Sequence, residues 1–316
     1  MEITTVAILG GSGFAGKHIC QALAAEGYRA RVATRARERA KEQLILLPTV
    51  DLVTVDVHDP AQLAAFVRGT EAVINLVGVL HDGRGNASFQ AAHVELARKV
   101  VAACRESGVP RLLHMSALAA DRSAPSRYLR TKGEAEAIVR ESGLAWTVFR
   151  PSVIFGREDR FLNMFAMLLR LAPVLFLASP NARFQPVFVE DVAASFVKSL
   201  EDLASAGKGY DLCGPRVYTL RELVVFVARV LNRRRLVIGL NDSLSYLQAL
   251  ALELLPVKLM TRDNYYSMKV DSVCSCEFPF GITPKALEAV APSYLGRRTP
   301  RAHYQRFRGR AGRDDA

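Results

Sequence analysis

The stretch Val6-Ala7-Ile8-Leu9-Gly10-Gly11-Ser12-Gly13-Phe14-Ala15-Gly16 decides the fold. Four apolar residues of buried-strand character run into glycines at positions 10, 13 and 16. The pattern then turns helical, with Ile19, Leu23 and Ala24 on one face. Strand, tight loop and helix form the context in which a Gly-x-x-Gly-x-x-Gly spacing points to a dinucleotide. Gly10 permits the turn out of the strand, Gly13 lets the backbone approach a pyrophosphate, and Gly16 lets helix and sheet pack closely. Phosphate oxygens then meet the free amides and the positive dipole end of the helix. Phe14 and Ala15 lie in that first turn as further candidate cofactor contacts. A tight βα turn is the plainer reading of the glycines alone.

Outward from this stretch, strand-like and helix-like segments alternate. Residues 29–34 form a second strand ending in Thr34-Arg35-Ala36-Arg37, with Arg39 following. An acid at the end of this strand binds the ribose 2′-hydroxyl of NAD(H). None is present. An Arg there can pair bidentately with a 2′-phosphate and stack on the adenine. Arg35 therefore favours NADP(H) as the cofactor, with NAD(H) as the second choice; alternatively, residues 35–41 are only the polar face of the next helix.

Residues 52–55 read as a third strand, with Asp56 and Val57 at its carboxyl end, where an adenine amino group is read. A short helix over 61–66 precedes a fourth strand over 72–77, whose end carries Leu76, Val77 and Gly78 against the dinucleotide. A polar, Gly-rich loop at 81–86, a long helix over 89–107 and a fifth strand over 112–115 ending at Ser116 follow. The sixth strand, 146–149, leads to Pro151 and Val153, again at the cofactor side. Such alternation predicts an α/β, Rossmann-type doubly wound parallel sheet. Ligands of these sheets lie beyond the carboxyl ends of the strands, where Gly10, Arg35, Asp56, Gly78 and Ser116 all fall. The expected organisation is an NAD(P)-binding domain over 1–150, an interleaved small C-terminal substrate subdomain over 151–296 and a basic tail over 297–316.

Tyr128-Leu129-Arg130-Thr131-Lys132 places a phenol and an ammonium one helical turn apart on one face. An ammonium there is expected to lower the phenol pKa from about 10. Such a Tyr exchanges a proton with a carbonyl or alcohol while hydride moves to or from nicotinamide, and Lys132 also suits the nicotinamide ribose. Tyr128, Lys132 and Ser116 are the candidate catalytic residues.

With Gly10-x-x-Gly13-x-x-Gly16, Tyr128-x-x-x-Lys132, Arg150-Pro151 and Phe184-Gln185-Pro186-Val187-Phe188-Val189-Glu190-Asp191-Val192-Ala193, the chain resembles the short-chain dehydrogenase/reductase superfamily, of the extended or atypical kind. Residues 126–132 and 153–163 are similar to the family of the nucleotide-binding accessory subunit of respiratory complex I, alpha-subcomplex subunit nine, and its bacterial relatives. The resemblance covers residues 6–194 and thins beyond. It implies NADPH at Gly10, Gly13, Gly16 and Arg35, and a catalytic pair at Tyr128 and Lys132. It also marks two departures. Extended members end the fifth strand with two hydroxyl residues, where this chain has Ser116-Ala117. They offer an Asn in the preceding helix, where this chain has His93. Loss of one positioned donor commonly costs about 100-fold or more in rate.

Composition narrows the class. Among 316 residues, half are hydrophobic, ample for a large core. Five Cys (20, 104, 213, 274, 276) lack metal-ligand spacing, so no metal site is expected and all five read as reduced structural thiols. No basic region precedes the first apolar run, which the first strand needs, so no cleavable signal is expected. Two long apolar stretches, 161–177 and 244–260, are interrupted by charge and proline and fall short of the roughly 18 to 20 residues of a spanning helix. They read as core and lid helices, or as a surface that docks on a membrane or a membrane protein. The net charge is +11, of which the tail 297–316, with seven Arg and two Asp, carries +5. It reads as a disordered, solubilising arm or one that touches an acidic partner, anionic lipid or RNA. With no zinc finger or aromatic-basic motif, nucleic acid is not expected as the main ligand.

Residues 157–160, Arg-Glu-Asp-Arg, are a surface ion-pair cluster or a loop closing over the nicotinamide end. Residues 183–191 read as a strand running into a helix with acids at its start. Beyond them, helices are expected over 220–231, 243–255 and 283–289, the last with Pro284 at its start, and a strand over 236–238. Two functions follow. One is a nucleotide-binding, structural or regulatory component linked to respiratory or quinone metabolism. The other is an active NADPH-dependent oxidoreductase or an epimerase/dehydratase-like enzyme using Tyr128 and Lys132. The expected location is cytoplasmic or peripheral to the inner membrane.

Overall fold

A computed structural model describes residues 3–44, 46–255 and 259–296; the basic tail 297–316 lies outside the described residues. β1 (Thr5–Leu9) sends Val6 and Ile8 to one side and Ala7 and Leu9 to the other, and all four are fully buried. Helices on both faces explain why this strand is apolar throughout rather than alternating. The chain continues through α1 (Phe14–Ala25), β2 (Arg29–Thr34), α2 (Arg37–Leu44), β3 (Val50–Thr54), α3 (Pro60–Val67) and β4 (Ala72–Asn75). Asp59 caps α3 by accepting the Ala61 and Gln62 amides, and Pro60 takes the first helical position.

The expected single helix over 89–107 opens instead as a π-helical turn at Gln90–Glu95 and continues as α4 (Leu96–Glu106). The wider turn carries His93 inward, where its ring nitrogens find partners on two other elements. β5 (Arg111–Met115), α5 (Arg127–Arg140) and β6 (Ala145–Pro151) complete the first half.

The second half runs through β7 (Ile154–Phe155), α6 (Phe161–Leu171), β8 (Val174–Leu177), β9 (Arg183–Phe184), β10 (Val187–Phe188), α7 (Val189–Glu201) and β11 (Lys208–Leu212). It closes with β12 (Tyr218–Thr219), α8 (Leu220–Val230), β13 (Leu236–Gly239), α9 (Asp242–Glu253), α10 (Arg262–Ser267) and α11 (Leu287–Leu295). The main sheet has seven parallel strands in the order β11-β6-β5-β4-β1-β2-β3. This is a doubly wound Rossmann sheet, and its strand order reverses between β1 and β4. The halves interleave. β11 forms the sheet's edge beside β6, and α7 packs Val192, Phe196 and Leu200 into the same core as Ile19 and Leu23 of α1. A separate core joins α6, α8 and α11 through Phe165, Leu169, Leu223, Val227, Leu287 and Ala291. A capping box between Thr219 and Glu222 starts α8.

Three expectations are corrected. Residues 183–188 are not one strand. Gln185 and Pro186 separate β9, which pairs with β12, from β10, which pairs with β7. The last helix starts at Leu287, not near Pro284, because buried Asp191 claims the Lys285 amide at 2.7 Å and holds that segment outside the helix. Finally, Cys213 and Cys274 form a disulfide, while Cys20, Cys104 and Cys276 are free. Their separation of 61 positions conceals the contact. The fold brings them together by laying Ser272 against Phe184 and Gln185, with the Cys274 amide donating to Gln185 Oε1.

Candidate functional site

The glycine loop stands at the sheet's switch point. Gly10 leaves β1 with φ +81°, and a side chain there would press on the backbone of Leu76 and Val77 at the end of β4. A Cβ on Gly16 would lie 2.3 Å from the Gly10 carbonyl oxygen, so only glycine lets α1 start this close to the strand. Gly13 is the N-cap of α1, yet no side chain caps that helix and its first turn holds no acid. The helix therefore presents open amides and an uncompensated positive dipole, as an anionic pyrophosphate requires. Phe14 and Ala15 of this turn are partly buried against the C-terminal core.

Around this loop the strand ends converge. Arg35 follows β2 as an exposed side chain that pairs with no carboxylate among the described residues. The side chain of Arg39 is outside the described residues. Asp56 follows β3; its carboxylate accepts the His58 amide at 2.9 Å and remains exposed. Leu76 and Val77 follow β4, with the Val77 amide donating to Asn75 Oδ1 at 3.2 Å. Pro151 ends β6, and the Val153 carbonyl accepts the Val187 amide at 3.0 Å.

Ser126 caps α5 and brings Tyr128 and Lys132 to the end of β5. The Lys132 ammonium donates to the Met115 carbonyl at 3.0 Å. Gly78 faces it; a Cβ there would stand 3.1 Å from the Lys132 Nζ. Burial brings the Lys132 pKa down to about 8. The Tyr128 ring lies edge-on to Phe89 and His93, at 5.8 and 5.6 Å. Burial in this surrounding raises its pKa to about 12, so the expected lowering by Lys132 is corrected: desolvation sets the direction, and the phenol stays protonated at neutral pH.

His93 does not take the role of the Asn it replaces. Its Nδ1 meets the Thr131 hydroxyl at 2.9 Å, and its Nε2 accepts the Val79 amide at 3.2 Å. That hydroxyl donates to the carbonyls of Arg127 and Tyr128, so the ring is neutral and carries its proton on Nδ1. Burial, aided by Lys132, drives its pKa down to about 2. Ala117 packs with Ala124 and Leu129 in a small apolar cluster against Tyr128. The second hydroxyl position is thus a greasy contact.

At the end of β5, two buried atoms have no partner among the described residues. Ser116 Oγ sits at the end of β5, and His114 Nε2 lies beneath it in the sheet. His114 Nδ1 accepts from Asn75 at 3.3 Å, which leaves the proton on Nε2. Unpartnered buried polar atoms beside an open helix start, with Gly78 cleared in front of Lys132, fit a nicotinamide dinucleotide laid across the strand ends.

The 157–160 turn is not a plain surface cluster. Asp159 is buried and accepts the Leu162 amide at 2.6 Å and the Tyr294 hydroxyl at 3.0 Å, while Glu158 pairs with Lys17 of α1. The sequence reading also missed His114 and Asp263. A polar residue inside the apolar run of β5 was the available signal for His114. Asp263 reaches α5 from 136 positions away and left none.

The NAD(P)H-binding family matches residues 10–160. With the fold, this makes residues 10–160 an NAD(P)H-binding domain similar to those of the short-chain dehydrogenase/reductases. In sequence it is similar to NADH dehydrogenase [ubiquinone] 1 alpha subcomplex subunit 9, mitochondrial, of Arabidopsis thaliana, with 36% identity covering 68% of this chain and 55% of that protein. It is also similar to the ceramide reductase of Caulobacter vibrioides, with 34% identity covering 61% of this chain and 59% of that protein. The chain thus spans less than two thirds of either relative. Its fold matches that of Thermus thermophilus UDP-glucose 4-epimerase in complex with NAD, with a TM-score of 0.61, 20% identity and coverage of 74% of this chain and 85% of that one.

Proposed function

We propose that this protein holds NADP(H) as a structural or regulatory component of a respiratory or quinone-linked assembly at the inner membrane; its relatives are named as a subunit of an NADH dehydrogenase [ubiquinone]. The observation that carries the reading is a contrast within one site. The nucleotide half supports a binder: an uncapped α1, a closely packed Gly16 and an Arg35 that pairs with no carboxylate among the described residues. The substrate half has lost its second hydroxyl to the Ala117 cluster and its amide to a fully engaged His93. Arg35 favours the 2′-phosphate. The test is the nucleotide that co-purifies with the protein. NADPH in near-stoichiometric amount, unoxidised when carbonyl and quinone panels are added, supports the reading. Protein that carries no nucleotide and takes up none overturns it.

A second reading is an NADPH-dependent reductase. It is favoured by the Tyr128 phenol, which is protonated and makes no hydrogen bond among the described residues, and by the unpartnered Ser116 hydroxyl. NADPH would supply hydride, Tyr128 would donate the proton to a carbonyl oxygen, and Ser116 would hold that oxygen. Turnover that Tyr128→Phe abolishes and Ala117→Ser raises by about tenfold or more would establish it over the first.

A further inference from the structure

β8 and β13 form a parallel two-stranded ribbon outside the main sheet, in the register Leu236–Val174, Val237–Leu175, Ile238–Phe176. Its inner face, Leu175, Leu177 and Val237, packs into the C-terminal core. Parallel strands ordinarily have both faces covered. Here the outer face carries Val174, Phe176, Leu236 and Ile238, with Phe176 55% and Leu236 59% exposed. α9 adjoins it, its Gln248 side chain donating to the Phe176 carbonyl at 2.9 Å. That helix buries Ser245 and Ala249 and turns Leu244, Leu247, Ala251 and Leu254 outward, one stripe at three- and four-residue spacing.

The charges beside this face that have no carboxylate or ammonium partner among the described residues are basic. Arg233 and Arg234 precede β13, are exposed and pair with no carboxylate among the described residues. The acids of α9 are engaged elsewhere: Asp242 with Lys269, and Glu253 with Arg262. The described chain ends at Gly296, beside Val230 at the end of α8, and the sequence beyond it carries seven Arg against two Asp. No described helix is long and apolar enough to cross a membrane.

We propose that the β8–β13 ribbon and the α9 stripe dock on the surface of an anionic phospholipid bilayer, with Arg233 and Arg234 on acidic headgroups. An apolar face rimmed by unpaired guanidinium groups matches the chemistry of that interface. A buried protein partner would instead call for mixed charge at the rim. The proposal sharpens the membrane placement in the reading above and rests on it only for its biological setting.

The full-length protein is floated with phosphatidylcholine vesicles and with vesicles containing about one third phosphatidylglycerol, where each basic residue near the surface contributes roughly fivefold in affinity. Binding to the anionic vesicles alone is expected. Arg233→Glu combined with Arg234→Glu should lower it by about twentyfold or more. Phe176→Asp and Leu247→Asp should each lower it severalfold, all with unchanged NADPH affinity, which certifies folding. Three outcomes overturn the proposal: no flotation with anionic vesicles, binding that Phe176→Asp and Leu247→Asp leave intact, or self-association that Leu247→Asp abolishes without any vesicle binding. NADPH binding is read separately, so a protein that floats but takes up no nucleotide sinks the nucleotide reading alone.

Discussion

The carboxylate of Asp263, on α10, accepts the backbone amide of Tyr128 at 3.1 Å, and that of Arg127 at 2.7 Å. With Ser126 taking the Leu129 amide, the first turn of α5 is sealed, whereas that of α1 is open. One helix start is built for structure and the other for an anion. α10 thereby fixes the start of the helix that carries the tyrosine.

Asp263→Ala should cost about 1–2 kcal/mol, as loss of a helix cap does. Hydrogen exchange should rise at the Arg127 and Tyr128 amides while the α1 amides keep their protection. NADPH affinity is expected to change little, because no contact of Asp263 lies on the nucleotide side. Unaltered exchange across 126–130 would show that Ser126 alone secures the helix.

Arg35 should decide between the two nicotinamide nucleotides. A charge-assisted pair with a 2′-phosphate contributes about 1.5–3 kcal/mol, so NADPH should bind roughly tenfold to a hundredfold more tightly than NADH. Arg35→Ala should bring the two affinities together by weakening NADPH alone. Calorimetric titration of both nucleotides against both proteins measures this. Equal affinities in the unmodified protein remove the argument.

The nucleotide half was legible because local chemistry writes it. Gly10 and Gly16 are demanded by a turn and a close approach within one βα unit, and Arg35 is marked by the acid that is missing. The parts that escaped are long-range. Nothing near Cys213 announces Cys274, and nothing near Tyr128 announces Asp263. The π-helical turn at His93 escaped for another reason: its apolar spacing is that of an ordinary helix, and only the partners at Val79 and Thr131 explain the extra residue. The charge pattern of Tyr128 and Lys132 suggested a lowered phenol pKa, but the packing of Phe89 and His93 that reverses it is invisible in the spacing.

His93 should behave as a structural residue. His93→Ala leaves the Val79 amide without its acceptor and opens a cavity beside Phe89, a loss of about 2–4 kcal/mol. Its folded pKa lies far below the unfolded value of 6.5, so the neutral ring stabilises the fold above pH 6.5, and this contribution is lost as pH falls. Nitrogen NMR should find a neutral Nδ1–H imidazole still at pH 5. A ring that takes up a proton there would return His93 to the list of acid–base candidates.

Lys132 makes the opposite side of the site sensitive to alkali. The nucleotide-free folded protein releases this proton at about pH 8, the unfolded chain near 10.5. Between those values the unfolded state binds the extra proton, so stability rises with pH, and below pH 8 the buried ammonium is a standing cost of about 3 kcal/mol. Lys132→Met removes both the cost and the slope. The stability of wild type relative to Lys132→Met, from urea titrations, should therefore improve by about 3 kcal/mol between pH 7.5 and 10.5. A flat difference means that the Met115 carbonyl and site water already compensate the charge. Saturating NADPH should move the window upward, since a ribose hydroxyl accepting from Nζ favours the ammonium. A window that stays in place with nucleotide bound would show that Lys132 does not touch it.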